Sequence, residues 1–135
     1  MKLGTLASIG LSLALTQPSI AQPKISNPWV GLWQAEQDGQ PDVILTLGDD
    51  NGQLSGGIVF NVIAHEGGQT HILGRDAHAL LNPRVEGDTL HFQVIRRPDA
   101  RRLEMTARMT ADGKATFRCE NCGDEAVVAE ITRER

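Results

Sequence analysis

The residues of this 135-residue chain with the widest chemical range fall in one stretch. His65-Glu66, His71, Asp76 and His78 are metal-ligating and acid–base types within fourteen positions. His65 and His71 are six apart, not the four that places two imidazoles on one helix face, and Gly67-Gly68 interrupts any helix between them. A shared metal therefore requires the segment to fold back on itself and gather His65, His71 and His78. Solvated loop histidines are the simpler reading, and no metal is assigned. His91 alternates with Leu90 and Phe92, so it faces away from the apolar row.

Nucleophilic chemistry has little to work with. Beyond residue 21 the serines are Ser26 and Ser55, and Gln53-Leu54-Ser55-Gly56-Gly57 lacks the glycine two residues before the serine that a nucleophile elbow needs. Glu104 and Glu130 fall on different segments, so no carboxylate pair at glycosidase spacing is defined. Cys119-Glu120-Asn121-Cys122 admits a disulfide across a tight turn, a redox pair or a zinc half-site. The flanks are strand-like rather than the start of a helix, and no second cysteine pair exists. These facts favour the disulfide, worth about 2 kcal/mol in so short a loop. The chain reads as non-catalytic and without a cofactor.

The elements that would position these groups are short and alternating. Met1-Lys2, the apolar run Leu3–Leu15 and Ser19-Ile20-Ala21 have the form of a cleavable signal peptide covering 1–21. Its apolar run falls short of the roughly 20 residues that span a bilayer. Export would place the protein in the periplasm or outside the cell, where disulfides persist. Residues 22–135 then form one domain, expected to be a monomer with no membrane span. The formal net charge is −4, and the densest basic cluster, Arg96-Arg97 with Arg101-Arg102, surrounds Pro98-Asp99 as a solvated turn. Neither favours binding to nucleic acid.

From Pro28 the hydrophobic period is close to two. Val43, Leu45 and Leu47 form one apolar row; Leu90, Phe92 and Val94, then Leu103, Met105, Ala107 and Met109, form others. Asp49-Asp50-Asn51-Gly52 and Asp112-Gly113 mark hairpin turns. Gly56-Gly57 suggests a bulge or sharp bend. Ala64–Ala79 reads as a long loop suited to a lid or a partner-binding rim. The sum is about eight strands joined by tight turns, which predicts an all-β antiparallel up-and-down meander closed into an eight-stranded barrel.

Gly31-Leu32-Trp33 near one end and Ile131-Thr132-Arg133 at the other, with the Asp50–Gly56 hairpin, resemble the calycin superfamily of lipocalins, fatty-acid-binding proteins and avidins. Val85–Phe92 and Asp112-Gly113-Lys114 extend the likeness to small lipocalin-like domains of exported bacterial proteins. The resemblance implies a barrel whose first and last strands meet, with Gly31, Trp33 and Arg133 closing one end. The chain has no Tyr, unlike the avidin pocket, which argues against biotin. Phe60, Phe92, Val94, Met105, Met109 and Phe117 are then the candidate interior residues for a small apolar or amphipathic ligand. A protein partner held by the rim and loops, as in a periplasmic protease or lysozyme inhibitor, is the alternative.

Overall fold

The computed structural model describes residues 27–97, 99–123 and 128–134. The expected signal segment 1–21 lies outside them. The regular elements are nine strands: β1 (Gly31–Gln37), β2 (Gln40–Asp50), β3 (Gln53–Glu66), β4 (Gln69–Ala79), β5 (Leu81–Glu86), β6 (Thr89–Ile95), β7 (Arg102–Ala111), β8 (Lys114–Cys119) and β9 (Val128–Arg133). Among the described residues no helix is long and apolar enough to cross a membrane.

All neighbours pair antiparallel in one sheet of order β4-β3-β2-β1-β9-β8-β7-β6-β5. The first and last strands meet as expected, with Trp33 opposite Arg133 and Gln34 opposite Thr132. Two expectations need correction: there are nine strands rather than eight, and the sheet is open rather than closed. Its edges are β4 and β5, which do not pair.

The open sheet must nevertheless curl. Nine flat strands would set β4 and β5 roughly 38 Å apart at about 4.8 Å per spacing, yet Leu80 alone links them. Leu80 N–H still bonds to the Gly56 carbonyl of β3 (3.0 Å), and at Leu81 the chain takes up β6 instead. The path thus changes partner at one buried residue, and the sheet forms a curled half-barrel with a seam along β4 and β5. Asn82, at positive φ, lies in the register shift that follows.

The tight turns are chemically ordinary. Asn51-Gly52 adopts the left-handed conformation at both positions, as the sequence predicts, and Asp49 Oδ1 accepts from Gly52 N–H. The Ala64–Ala79 loop is corrected: β3 runs to Glu66 and β4 returns from Gln69, with Gly67-Gly68 as a two-residue turn at positive φ. No bulge occurs at Gly56-Gly57. The β2–β3 register passes through them unbroken, and a side chain at Gly56 would run into the Thr46 carbonyl oxygen. The glycine permits close approach of the β2 and β3 backbones.

The concave face holds the core. Trp29, Trp33, Leu45, Ile58, Leu90, Phe92, Phe117 and Ile131 are buried there. Phe92 stacks on Phe117 (centroids 6.2 Å), which meets Phe60 at the same distance. Full burial of each such side chain contributes about 1.5–3 kcal/mol, so the interior is chiefly a packed core.

Candidate functional site

The two ends of the half-barrel differ. One is plugged. Trp33 Nε1–H donates to the Trp29 carbonyl (2.9 Å) and the two indoles pack 5.1 Å apart. Arg133 shares the inward face with Ile131. Its guanidinium donates to the Pro28 carbonyl at 3.3 Å, and its Nε lies 3.1 Å from where a Gly31 Cβ would stand. Gly31, Trp33 and Arg133 therefore all sit at this end. The cation spans the Pro28–Gly31 backbone, while the Trp33 ring packs at a tilt against Trp29.

The other end holds a pocket of about 170 Å³, lined by Phe60, Asp76, His78, Val94, Arg96, Leu103, Met105 and Cys122. Phe60, Val94 and Met105 were expected from sequence, and the structure brings them together. Phe92 and Phe117 form the buried aromatic layer that Phe60 packs against. Met109 does not join them. It lies four residues along β7 from Met105, about 13 Å at 3.3 Å per residue, and its N–H bonds to the Asp88 carbonyl.

The rim carries charge in pairs. His78 Nε2 lies 2.8 Å from Asp76 Oδ2, and its side chain is 7% exposed against 51% for Asp76. The His78 ring meets the edge of Phe60 at 6.0 Å. Arg96 grips Asp99 with Nε (3.1 Å) and a terminal nitrogen. That hydrogen bond, with the Arg101 backbone N–H, lowers the Asp99 carboxyl from its usual value to about 2. Elsewhere, Thr89 and then Arg108 lower the Asp88 carboxyl in the same direction.

Cys119 and Cys122 are joined as a disulfide, their Cα atoms 5.7 Å apart, an ordinary separation for such a bridge. The bridge shapes one side of the rim through Cys122. Asn121 ties it to β7, accepting from Glu104 N–H (2.8 Å) and donating to the Arg102 carbonyl (3.1 Å).

The histidines are not gathered. His65 sits with Thr70 and Asp38, His71 faces Glu66 at 3.9 Å, and His78 lies seven residues down the hairpin at the pocket. Among the described residues no group of three or more His, Cys, Asp or Glu side chains could hold a metal ion.

Sequence reasoning missed the inward role of Asp76 and His78. The signal was present: Asp76, His78 and Leu80 alternate, and Leu80 is buried. Reading Gly67-Gly68 as a hairpin turn would have extended that period into β4. Leu103 was also legible, being in phase with Met105.

No protein-family model matches this chain, and no curated protein and no solved structure matches it.

Proposed function

We propose that this chain is an exported, non-catalytic binding module that takes a small apolar or amphipathic group into the pocket at the unplugged end of its curled sheet. The carrying observation is the apolar lining of this recess: Phe60, Val94, Leu103 and Met105 stand together there, away from the end where Trp29, Trp33 and Arg133 pack. An apolar cavity of about 150 Å³ accommodates benzene, so a recess near 170 Å³ suits one ring or a chain of about six carbons. Met105 supplies an adaptable wall. The calycin likeness and the signal-peptide pattern point the same way, and the disulfide is compatible with export.

The non-catalytic reading rests on the company His78 keeps. Asp76 and His78 resemble the base and orienting half of a hydrolytic site. The remaining pocket residues offer no Ser, Thr or free thiol beside them.

Benzene and 1-hexanol, followed by ligand-observed NMR, test the proposal. Binding to the wild type that is abolished in Met105→Trp, with its fold retained by circular dichroism, supports it. Equal signals from both proteins, or none from the wild type, defeat it.

A second reading is favoured by one observation. The far part of the β3–β4 hairpin exposes Val62 (55%) and Leu73 (64%), an apolar pair suited to a protein partner. A stoichiometric partner lost in Leu73→Asp, while benzene binding persists, would support that reading instead.

A further inference from the structure

Beyond Leu80 the sheet has two open edges that face each other. The β3–β4 ladder ends with Gly57 opposite Ala79, and Leu80 N–H takes the Gly56 carbonyl. Gln53–Ser55 run on with β2 on one side and no strand on the other. Across from them stands the open edge of β5. A cleft of about 590 Å³ lies between Gln53-Leu54 and Pro83–Val85, and Asn27, Asn51 and Gly52 also line it. It is separate from the pocket that Phe60 and Met105 line.

Turn chemistry fixes which backbone groups look into this cleft. Asp50 opposite Gln53 closes the two-residue turn at Asn51-Gly52. Gln53 therefore bonds to β2, and the N–H and C=O of Leu54 face the cleft. Glu86 opposite Thr89 closes the turn at Gly87-Asp88, so the N–H and C=O of Val85 face it from the other side. Both side chains point inward: Leu54 is buried, and Val85 packs against the core. Two unladdered backbone edges flanked by apolar side chains are the setting of a missing strand.

We propose that the cleft is the docking site of this chain's own residues 24–26, which enter it as a further strand between β3 and β5. The described chain begins at Asn27, which already lines the cleft together with Gly52. A strand antiparallel to β3, with residue 27 level with Gly52, sets Ser26 opposite Gln53 and Ile25 opposite Leu54. β5 runs in the sense of β4, so the same strand is parallel to β5, with Ile25 level with Val85. Ile25 then exchanges both backbone bonds with Leu54. Val85 N–H donates to the Lys24 carbonyl, and Ser26 N–H donates to the Val85 carbonyl. The sequence Lys24-Ile25-Ser26 has the matching alternation, one apolar residue for the inward row between two polar ones. Three residues extend about 10 Å, the length of Gln53–Ser55. Pro23, which cannot donate, falls where Leu80 already holds the Gly56 carbonyl. The inference is independent of the pocket reading above.

The test uses protein that retains residues 22–26. Ser26→Cys combined with Gln53→Cys places two thiols directly opposite, with Cβ atoms about 4.5–5.5 Å apart, close to the reach of a disulfide. Mild oxidation followed by peptide mass spectrometry should find this link within single chains. Ser26→Cys combined with Ser55→Cys, two residues out of register, should link about tenfold more slowly, because diagonal neighbours stand about 7–8 Å apart. Equal rates for the two pairs overturn the proposal, since a loosely tethered segment would reach both. A link found only between two chains also overturns it and assigns the cleft to a second copy. Amide exchange provides a measurement without cysteines. The Leu54 and Val85 amides should exchange about tenfold or more slowly in the wild type than in Ile25→Asp, with Trp33 unchanged. Leu54 and Val85 rates that are the same in both proteins reject the docked strand.

Discussion

Arg133 lies across Gly31: its Nε stands 3.1 Å from the place a Cβ would occupy on that glycine, whose φ is +133°. The backbone conformation favours glycine, and a side chain there would also have to push the Arg133 guanidinium aside. The same guanidinium reaches the Pro28 carbonyl beyond it, at the end where the buried Trp29 and Trp33 indoles pack. Gly31→Ala should destabilise the fold by about 1–3 kcal/mol. Gly74→Ala has open space at its Cβ and should change stability by no more than about 0.5 kcal/mol. Urea unfolding of the two variants compares them directly.

Gly56 faces a harder constraint. Its missing side chain is replaced by the backbone of Thr46 and Leu47, which cannot rotate aside as a side chain can. Gly56→Ala should cost more than Gly31→Ala, about 3 kcal/mol or above, or prevent accumulation of folded protein. A Gly56→Ala variant as stable as the wild type would show that β2 and β3 do not approach this closely.

Phe117 is fully buried and contacts both Phe60 and Phe92. Phe117→Ala should lower unfolding free energy by about 3–5 kcal/mol. Phe60 is only partly buried at the pocket, so Phe60→Ala should cost less and change ligand affinity more. Chemical denaturation and benzene titration of the two variants separate these effects.

Reducing the Cys119–Cys122 bridge should lower stability by about 2 kcal/mol, the modest value set by its short loop. Thermal scans with and without reductant measure this, and Cys119→Ser with Cys122→Ser should be insensitive to reductant. The fold should persist in both cases, because Cys119 and Cys122 are a small part of a core built mainly from Trp, Phe, Leu, Ile and Val side chains.

The Arg96 guanidinium, followed by the Arg101 N–H, lowers the Asp99 carboxyl to about 2. A carboxyl more acidic in the folded state than in the unfolded chain stabilises the fold above the unfolded value, near pH 4. That contribution fades as pH falls from about 4 towards 2. Because Asp99 is exposed, the effect is small and best read locally. The Asp99 carboxyl resonance should titrate near pH 2 in the wild type and move towards the ordinary value in Arg96→Gln. An Asp99 midpoint near 4 in the wild type would show that the Arg96 contact does not persist in solution.

Much of the sheet was legible from local pattern. The apolar rows through Leu45, Phe92 and Met105 fall on the concave face because side chains alternate in any strand. Asn51-Gly52 turned where its tolerance of positive φ said it would. The hairpin from Ala64 to Ala79 was obscured by its glycines, since Gly67-Gly68 serves equally as a loop or as a two-residue turn. Which of these forms depends on whether the flanking residues find ladder partners.

By itself, then, the sequence determined most of the strands and their inward faces, because alternation and turn chemistry act over a few residues; the meeting of Trp33 with Arg133 was implied by the family resemblance instead. Only the tertiary structure decided where the sheet stays open. Leu80 looks like one more buried residue in a period-two run, yet there the chain leaves β3 for β6. That exchange depends on how far nine strands curl, a sum over the whole sheet that no local pattern records. The seam along the unpaired edges of β4 and β5 follows from it.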